Sequence, residues 1–216
     1  VVAVASLIVR ESSRATLAFT RHAPLTCTIE LPSLVSDNAR KCFDQIWLDL
    51  GAFNSWGLVL PYNTVAHLLG PYRIRNLSVE FKAVVTNKSP NAPYRGAGRP
   101  ETVFAMDRIV DCLARELRMD PAELRRRNLI RADEMPYDTG MPYRDGNPLV
   151  YDSGDFPAIL ESALEASGYA RFRQEQERLR ADGVDRGIGI SAYVEGTGSG
   201  PYEGASVKLD PSGRVM

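Results

Sequence analysis

Apolar residues recur along this chain with two periods, and the switch between them sets the predicted elements. Residues 2–8 form an apolar run that breaks at Arg10, Glu11, Ser12 and Ser13, which reads as the end of a helix and a turn. Residues 15–19, 25–31 and 43–50 suit strands. In the last of these Ile46, Leu48 and Leu50 alternate with Gln45, Trp47 and Asp49, so only one face is apolar. The polar stretch 33–40 before it predicts a hairpin. Residues 51–72 mix Gly, Pro, Asn and aromatics without a period and read as irregular. A further strand is expected at 79–86, then a Pro- and Asn-rich loop at 87–93.

The period then becomes helical. Val103, Met106, Ile109, Val110, Leu113 and Leu117 share one face, with Asp107, Arg108, Asp111 and Arg115 between them, so 100–117 is predicted to be a helix. A second helix starts at once. Asp120 suits a cap, Pro121 the first helical position and Glu123 a capping box, and the helix ends near Asn128. The polar stretch 131–152, rich in Pro, Gly and Tyr, reads as a linker. Helices are expected at 155–166 and 169–181, and strands at 187–194 and 205–209. A glycine-rich loop covers 196–204, and Asp210-Pro211-Ser212-Gly213 is a turn signal. The fold class that follows is α+β, with mixed sheets flanked by helices.

Composition narrows the function classes. Of 216 residues, 44% are hydrophobic and 25% charged, with a net charge of −1. That composition excludes a largely disordered chain, and the near-neutral charge argues against a general nucleic-acid binder. No apolar run approaches the roughly 18 residues of a membrane span. Cys27, Cys42 and Cys112 are too scattered for a disulfide framework or a zinc site, and they read as reduced thiols of a cytoplasmic protein. His22 and His67 lack metal-ligand spacing, so no protein metal site is expected. The run Arg125-Arg126-Arg127 reads as a solvated helix face engaged in intersubunit salt bridges. The chain opens at Val1 rather than Met and closes just after a turn, which reads as an internal fragment of a larger protein.

The chemistry concentrates in Tyr94-Arg95-Gly96-Ala97-Gly98-Arg99-Pro100-Glu101. Two glycines allow close backbone approach, a helix opens immediately after them, and two arginines add forked donors. Together these suit an anion or an oxygen-rich cofactor; a tight turn with surface arginines is the plainer alternative. No Gly-Lys-Ser/Thr follows, and the third glycine of a dinucleotide fingerprint is missing.

This loop, with Gly70-Pro71-Tyr72-Arg73-Ile74, Thr86-Asn87 and 120–129, resembles the molybdopterin-binding large subunit of the xanthine dehydrogenase/aldehyde oxidase family. Looser similarity covers 48–53 and 187–210. The loop itself is similar to the form II version of the carbon monoxide dehydrogenase large subunits. In the resemblance, the CO-oxidising version carries a copper-binding Cys where this chain has Gly96, so no Mo–Cu centre is expected. Purine-oxidising relatives carry a Phe at the position of Ala97, which puts xanthine in doubt here.

The resemblance implies parts of two consecutive molybdopterin-binding domains: the end of one over 1–132, a linker over 133–152, and the start of another over 153–216. It implies a molybdenum hydroxylase that oxidises an aldehyde or N-heterocycle with water-derived oxygen and hydride transfer to Mo=S. The cofactor would be molybdopterin, as the cytosine dinucleotide. FAD and 2Fe–2S clusters would sit on partner subunits or domains, with an FAD-binding medium subunit and an iron–sulfur small subunit as partners in a dimer of heterotrimers. Arg95, Gly96, Ala97 and Gly98 would contact the cofactor, and Ala97 would also shape the substrate pocket. Arg99 either joins them or pairs with Glu101 or another helix acid. Glu195 and Thr197 would border the pocket, although a strand-end acid is the plainer reading of Glu195. The catalytic glutamate is expected outside this chain, which alone would be inactive. Two other readings stand beside this one: a non-catalytic cofactor-binding or assembly relative, and an unrelated phosphate-binding module.

Overall fold

A computed structural model describes residues 4–10, 14–20, 25–30, 42–54, 56–74, 77–143, 146–196 and 204–215, with the backbone alone up to residue 45. Five strands, β1 (Val4–Arg10), β2 (Arg14–Thr20), β3 (Leu25–Glu30), β4 (Cys42–Asp49) and β5 (Leu77–Val84), form one sheet in sequence order. The first three pairings are antiparallel; β4 and β5 run parallel, with Ile46 opposite Phe81. The predicted pairing of β3 with β4 is present. The first apolar run is a strand, however, not the end of a helix. A short unbroken apolar run carries neither period, and here its pairing with β2 decides the outcome.

A parallel pair needs a crossover, and the segment read as irregular supplies it with helix α1 (Val59–Ala66). Its inward residues are Pro61, Asn63, Thr64 and Ala66. Half of that buried face is polar, so no hydrophobic period marks the helix. In β4, Ile46 and Leu48 are buried while Trp47 stands exposed, as the alternation predicts.

The strongest helical pattern becomes α2 (Arg99–Glu116), and α3 (Pro121–Asn128) follows. The Asp120 side chain accepts from the backbone N–H groups of Ala122 and Glu123, so the cap is real. Glu123 does not complete a box; it pairs with Arg127 and Arg126. The main core gathers Leu68, Tyr72, Met106, Ile109, Val110, Leu124 and Leu129 with Leu160, Leu164 and Tyr169 from α4 (Phe156–Ala166) and α5 (Tyr169–Ala181).

Three further segments differ from expectation. The stretch read as a linker contains a 3-10 turn at Ala132–Glu134 and a small antiparallel pair, β6 (Tyr137–Pro142) with β7 (Pro148–Tyr151). Residues 187–194 alternate but join no sheet among the described residues; Ile188, Ile190 and Ala192 pack on the main core instead. At 205–209 the predicted strand reduces to one bridge, Leu209 to Val215, which closes the turn at Asp210–Gly213.

Candidate functional site

Helix α1 is the platform on which the glycine loop rests. The Asn63 amide donates to the Ala97 carbonyl at 2.8 Å, and the Thr64 hydroxyl donates to the Gly98 carbonyl at 3.0 Å. From α2, the Thr102 hydroxyl returns a bond to the Thr64 carbonyl at 3.0 Å. Gly98 caps α2 with φ +84°, and a Cβ there would sit 2.3 Å from the Leu60 carbonyl oxygen. Its close backbone approach is therefore to α1. Gly96 also has a positive φ, +90°, but a Cβ would meet nothing nearer than Pro100 at 3.6 Å.

The outer side of the loop opens onto a cleft of about 330 Å³ lined by Arg95, Gly96, Arg99, Pro100, Val103, Tyr193 and Glu195. The structure thus brings together Arg95, Gly96, Arg99 and Glu195 from the sequence-based set. Ala97 and Gly98 turn their carbonyls toward α1 and are not among the lining residues. Thr197 lies outside the described residues.

Arg99 pairs with neither of the helix acids considered for it. Its Nη1 lies 3.5 Å from a Glu195 oxygen, and its Nε donates to His67 Nε2 at 3.3 Å. A guanidinium can only donate, so His67 accepts on Nε2 and carries its proton on Nδ1, 2.9 Å from the Asn63 carbonyl oxygen. His67 is buried, stands edge-on to Tyr143, and faces Gly196, where a Cβ would come within 3.6 Å of its Nε2. Asn63, His67 and Tyr193 are the site residues that sequence reasoning missed, and Val103, read as part of the apolar face of α2, also lines the cleft. No local motif marks the first three, because their contacts join residues about thirty to a hundred positions apart. Asn63 Oδ1 and Glu101 Oε2 are buried without a partner among the described residues.

A second network fixes the segment that carries Tyr193 and Glu195. Arg125, read as solvated, is fully buried (0% exposed), because α3 places it on one face with Ala122 and Leu129. Its guanidinium meets Asp107 and Asp111 at 3.0 Å each and donates to the Ile190 carbonyl at 3.0 Å. Asp107 also accepts from the Tyr72 hydroxyl at 2.8 Å, the Ser191 hydroxyl at 2.7 Å and the Ala192 N–H at 3.0 Å. Burial disfavours the Arg125 charge, but the carboxylates of Asp107 and Asp111 hold it above its ordinary value. Burial, with Asp107, pushes the Tyr72 phenol far up, so it remains a neutral donor. Arg126 and Arg127 are solvated as expected and pair with Glu161 and Glu123.

The donors in the cleft, two guanidiniums beside an open glycine backbone, fit an anionic, oxygen-rich group. Among the described residues no three His, Cys, Asp or Glu side chains are placed to hold a metal ion, and no helix is long and apolar enough to cross a membrane.

Comparison with known proteins agrees with this chemistry. The profile of the molybdopterin cofactor-binding domain matches residues 24–129, and a second profile of the same description matches 162–216. The γ subunit of the 6-hydroxypseudooxynicotine dehydrogenase complex of Paenarthrobacter nicotinovorans is 35% identical over 173 residues, 80% of this chain and 22% of that subunit. The carbon monoxide dehydrogenase large chain of Hydrogenophaga pseudoflava is 34% identical, over 68% of this chain and 20% of its own length. Among solved structures, quinoline 2-oxidoreductase from Pseudomonas putida 86 superposes with a TM-score of 0.60 at 28% identity, covering 78% of this chain and 21% of that one. The chain therefore spans about a fifth of the length of the relatives it matches.

Proposed function

The chain belongs to the family of molybdopterin-binding large subunits that includes the xanthine and carbon monoxide dehydrogenases, and from that premise we propose that it is part of the catalytic subunit of a molybdenum hydroxylase acting on an aldehyde or an N-heterocycle. The observation that carries this reading is the Arg95–Gly98 loop, seated on α1 with its outer side facing a cleft that holds Arg95, Gly96, Arg99 and Glu195. When bound, molybdopterin supplies the two-electron oxidation with oxygen taken from water.

The residues of this chain bind and orient. Arg95, exposed at the cleft mouth, donates to anionic oxygens of the cofactor, and Gly96 lets its backbone come close. Gly96 offers no thiolate, so the site takes no copper. Ala97 acts through the loop: its carbonyl, held by Asn63, fixes the direction in which Arg95 and Gly96 face. Tyr193, Val103 and Pro100 form the apolar wall against which a substrate ring lies. Glu195 borders the substrate side. The cofactor carries a cytosine dinucleotide, and FAD and 2Fe–2S clusters reside on a medium and a small partner subunit in a dimer of heterotrimers. Residues 133–152 join the two cofactor-binding units. The protein works in the cytoplasm, and the general-base glutamate lies elsewhere in the subunit, so the segment described here is inactive alone.

The test is to produce the whole subunit with its partner subunits and measure molybdenum and copper by mass spectrometry. About one molybdenum per subunit without copper is expected, with CMP released on acid treatment. Folded protein without molybdenum overturns the enzyme reading and leaves a non-catalytic relative. Stoichiometric copper overturns the argument from Gly96.

A further inference from the structure

We infer that the cleft selects substrates carrying a carboxylate, which Arg99 binds after displacing Glu195. This rests on the preceding reading, in which the cleft is the substrate side of the cofactor site.

Arg99 is built as a receptor rather than as a loose surface charge. Its side chain is 14% exposed, and its Nε is anchored on buried His67, whose other nitrogen is fixed by the Asn63 carbonyl. With Nε held, the planar fork has one orientation. Its terminal nitrogens are directed between the Glu195 side and Gly196, where a Cβ would lie 3.9 Å from Nη2. A rigid guanidinium fork matches a carboxylate with two parallel hydrogen bonds.

Its present partner is weakly held. Glu195 is 51% exposed, sits on an extended segment that joins no sheet among the described residues, and meets Arg99 through one 3.5 Å contact. Half-exposed pairs of this kind contribute little. Glu195 thus marks where a carboxylate docks, and it can swing into solvent when a ligand carboxylate replaces it. Beside the fork lie Pro100, Val103 and the exposed ring of Tyr193, surfaces suited to an aromatic or aliphatic body. The cleft volume of about 330 Å³ falls at the small end for ligand sites, which suits a one- or two-ring acid. Once Glu195 departs, the Arg99 guanidinium faces the cleft without its carboxylate partner.

The test is calorimetric binding of benzoate and its neutral isostere benzamide to the whole subunit with its partners. Benzoate is expected to bind about tenfold more tightly than benzamide. Glu195→Gln removes the internal competitor and should tighten benzoate severalfold without changing benzamide. Arg99→Gln should abolish the preference, and Arg99→Lys, which keeps the charge but loses the fork, should keep only part of it. His67→Leu should weaken benzoate, and His67→Gln, which restores an acceptor, should recover it; thermal melts establish that each variant is folded. Equal affinity for the two probes overturns the inference, as does a preference that survives Arg99→Gln or a benzoate affinity that falls in Glu195→Gln. Molybdenum bound with no carboxylate preference sinks this inference alone. A carboxylate preference in folded protein that lacks molybdenum sinks the cofactor reading and leaves the Arg99 receptor standing.

Discussion

Gly96 and Gly98 share a left-handed backbone, at φ +90° and +84°, but only Gly98 presses against a neighbour. For Gly96 the requirement is conformational, so Gly96→Ala should cost about 1 kcal/mol of left-handed strain. For Gly98 the strain is joined by a clash with the α1 backbone, and Gly98→Ala should cost about 2–4 kcal/mol. Urea unfolding of the two variants measures the contrast; equal losses would mean that the loop does not sit on α1 as described. The glycine pair was legible in the sequence as permission for close approach. What each glycine approaches was not, because Leu60, Asn63 and Thr64 lie more than thirty residues away and nothing local points to them. Arg125 makes the same point. Three consecutive arginines look alike in a sequence, yet helical geometry sends Arg125 inward and its two neighbours to solvent.

At the level of elements, the segments with strong local signals form where expected. The α2 stripe and the Asp120-Pro121 start of α3 are both present. Asp120 serves a second purpose that its cap role does not announce: its other oxygen accepts from the Tyr169 hydroxyl of α5 at 2.9 Å. Burial, then that bond, pushes the Tyr169 phenol up to about 12, so it stays a donor at all ordinary pH. Asp120→Ala should lose about 1 kcal/mol for the cap alone. The loss should be larger than in Asp120→Asn, which keeps an acceptor for the helix; comparing the two by chemical denaturation checks the assignment. Helix α1 escaped notice because a helix that buries Asn63 and Thr64 shows no apolar stripe. Residues 187–194 misled in the opposite way. Their alternation is genuine and packs Ile188, Ile190 and Ala192 inward, but backbone groups at 190 and 192 go to Arg125 and Asp107 rather than to a neighbouring strand.

Across the whole molecule, the buried Asp107–Arg125 pair ties the helical layer to the extended segment that carries Tyr193 and Glu195. Removing one partner strands a charge, so Arg125→Met should destabilise the protein by about 3–5 kcal/mol. Adding Asp107→Asn should recover part of that loss, and a double-mutant cycle on urea unfolding reads the coupling. If the double variant loses the sum of the two single effects, the pair does not act as a unit. The sequence by itself determined the α+β class, most strands and helices, the glycine–arginine loop and the family to which that loop belongs. The elements follow from local periodicity and capping chemistry, and the family from the resemblance of the loop together with 70–74, 86–87 and 120–129. Only the tertiary structure decided that α1 carries the loop, that Arg99 faces Glu195 over a cleft, and that Arg125 is a core residue. Each of these depends on burial and on partners distant in the chain, and no local pattern encodes which distant residue will supply a missing hydrogen bond.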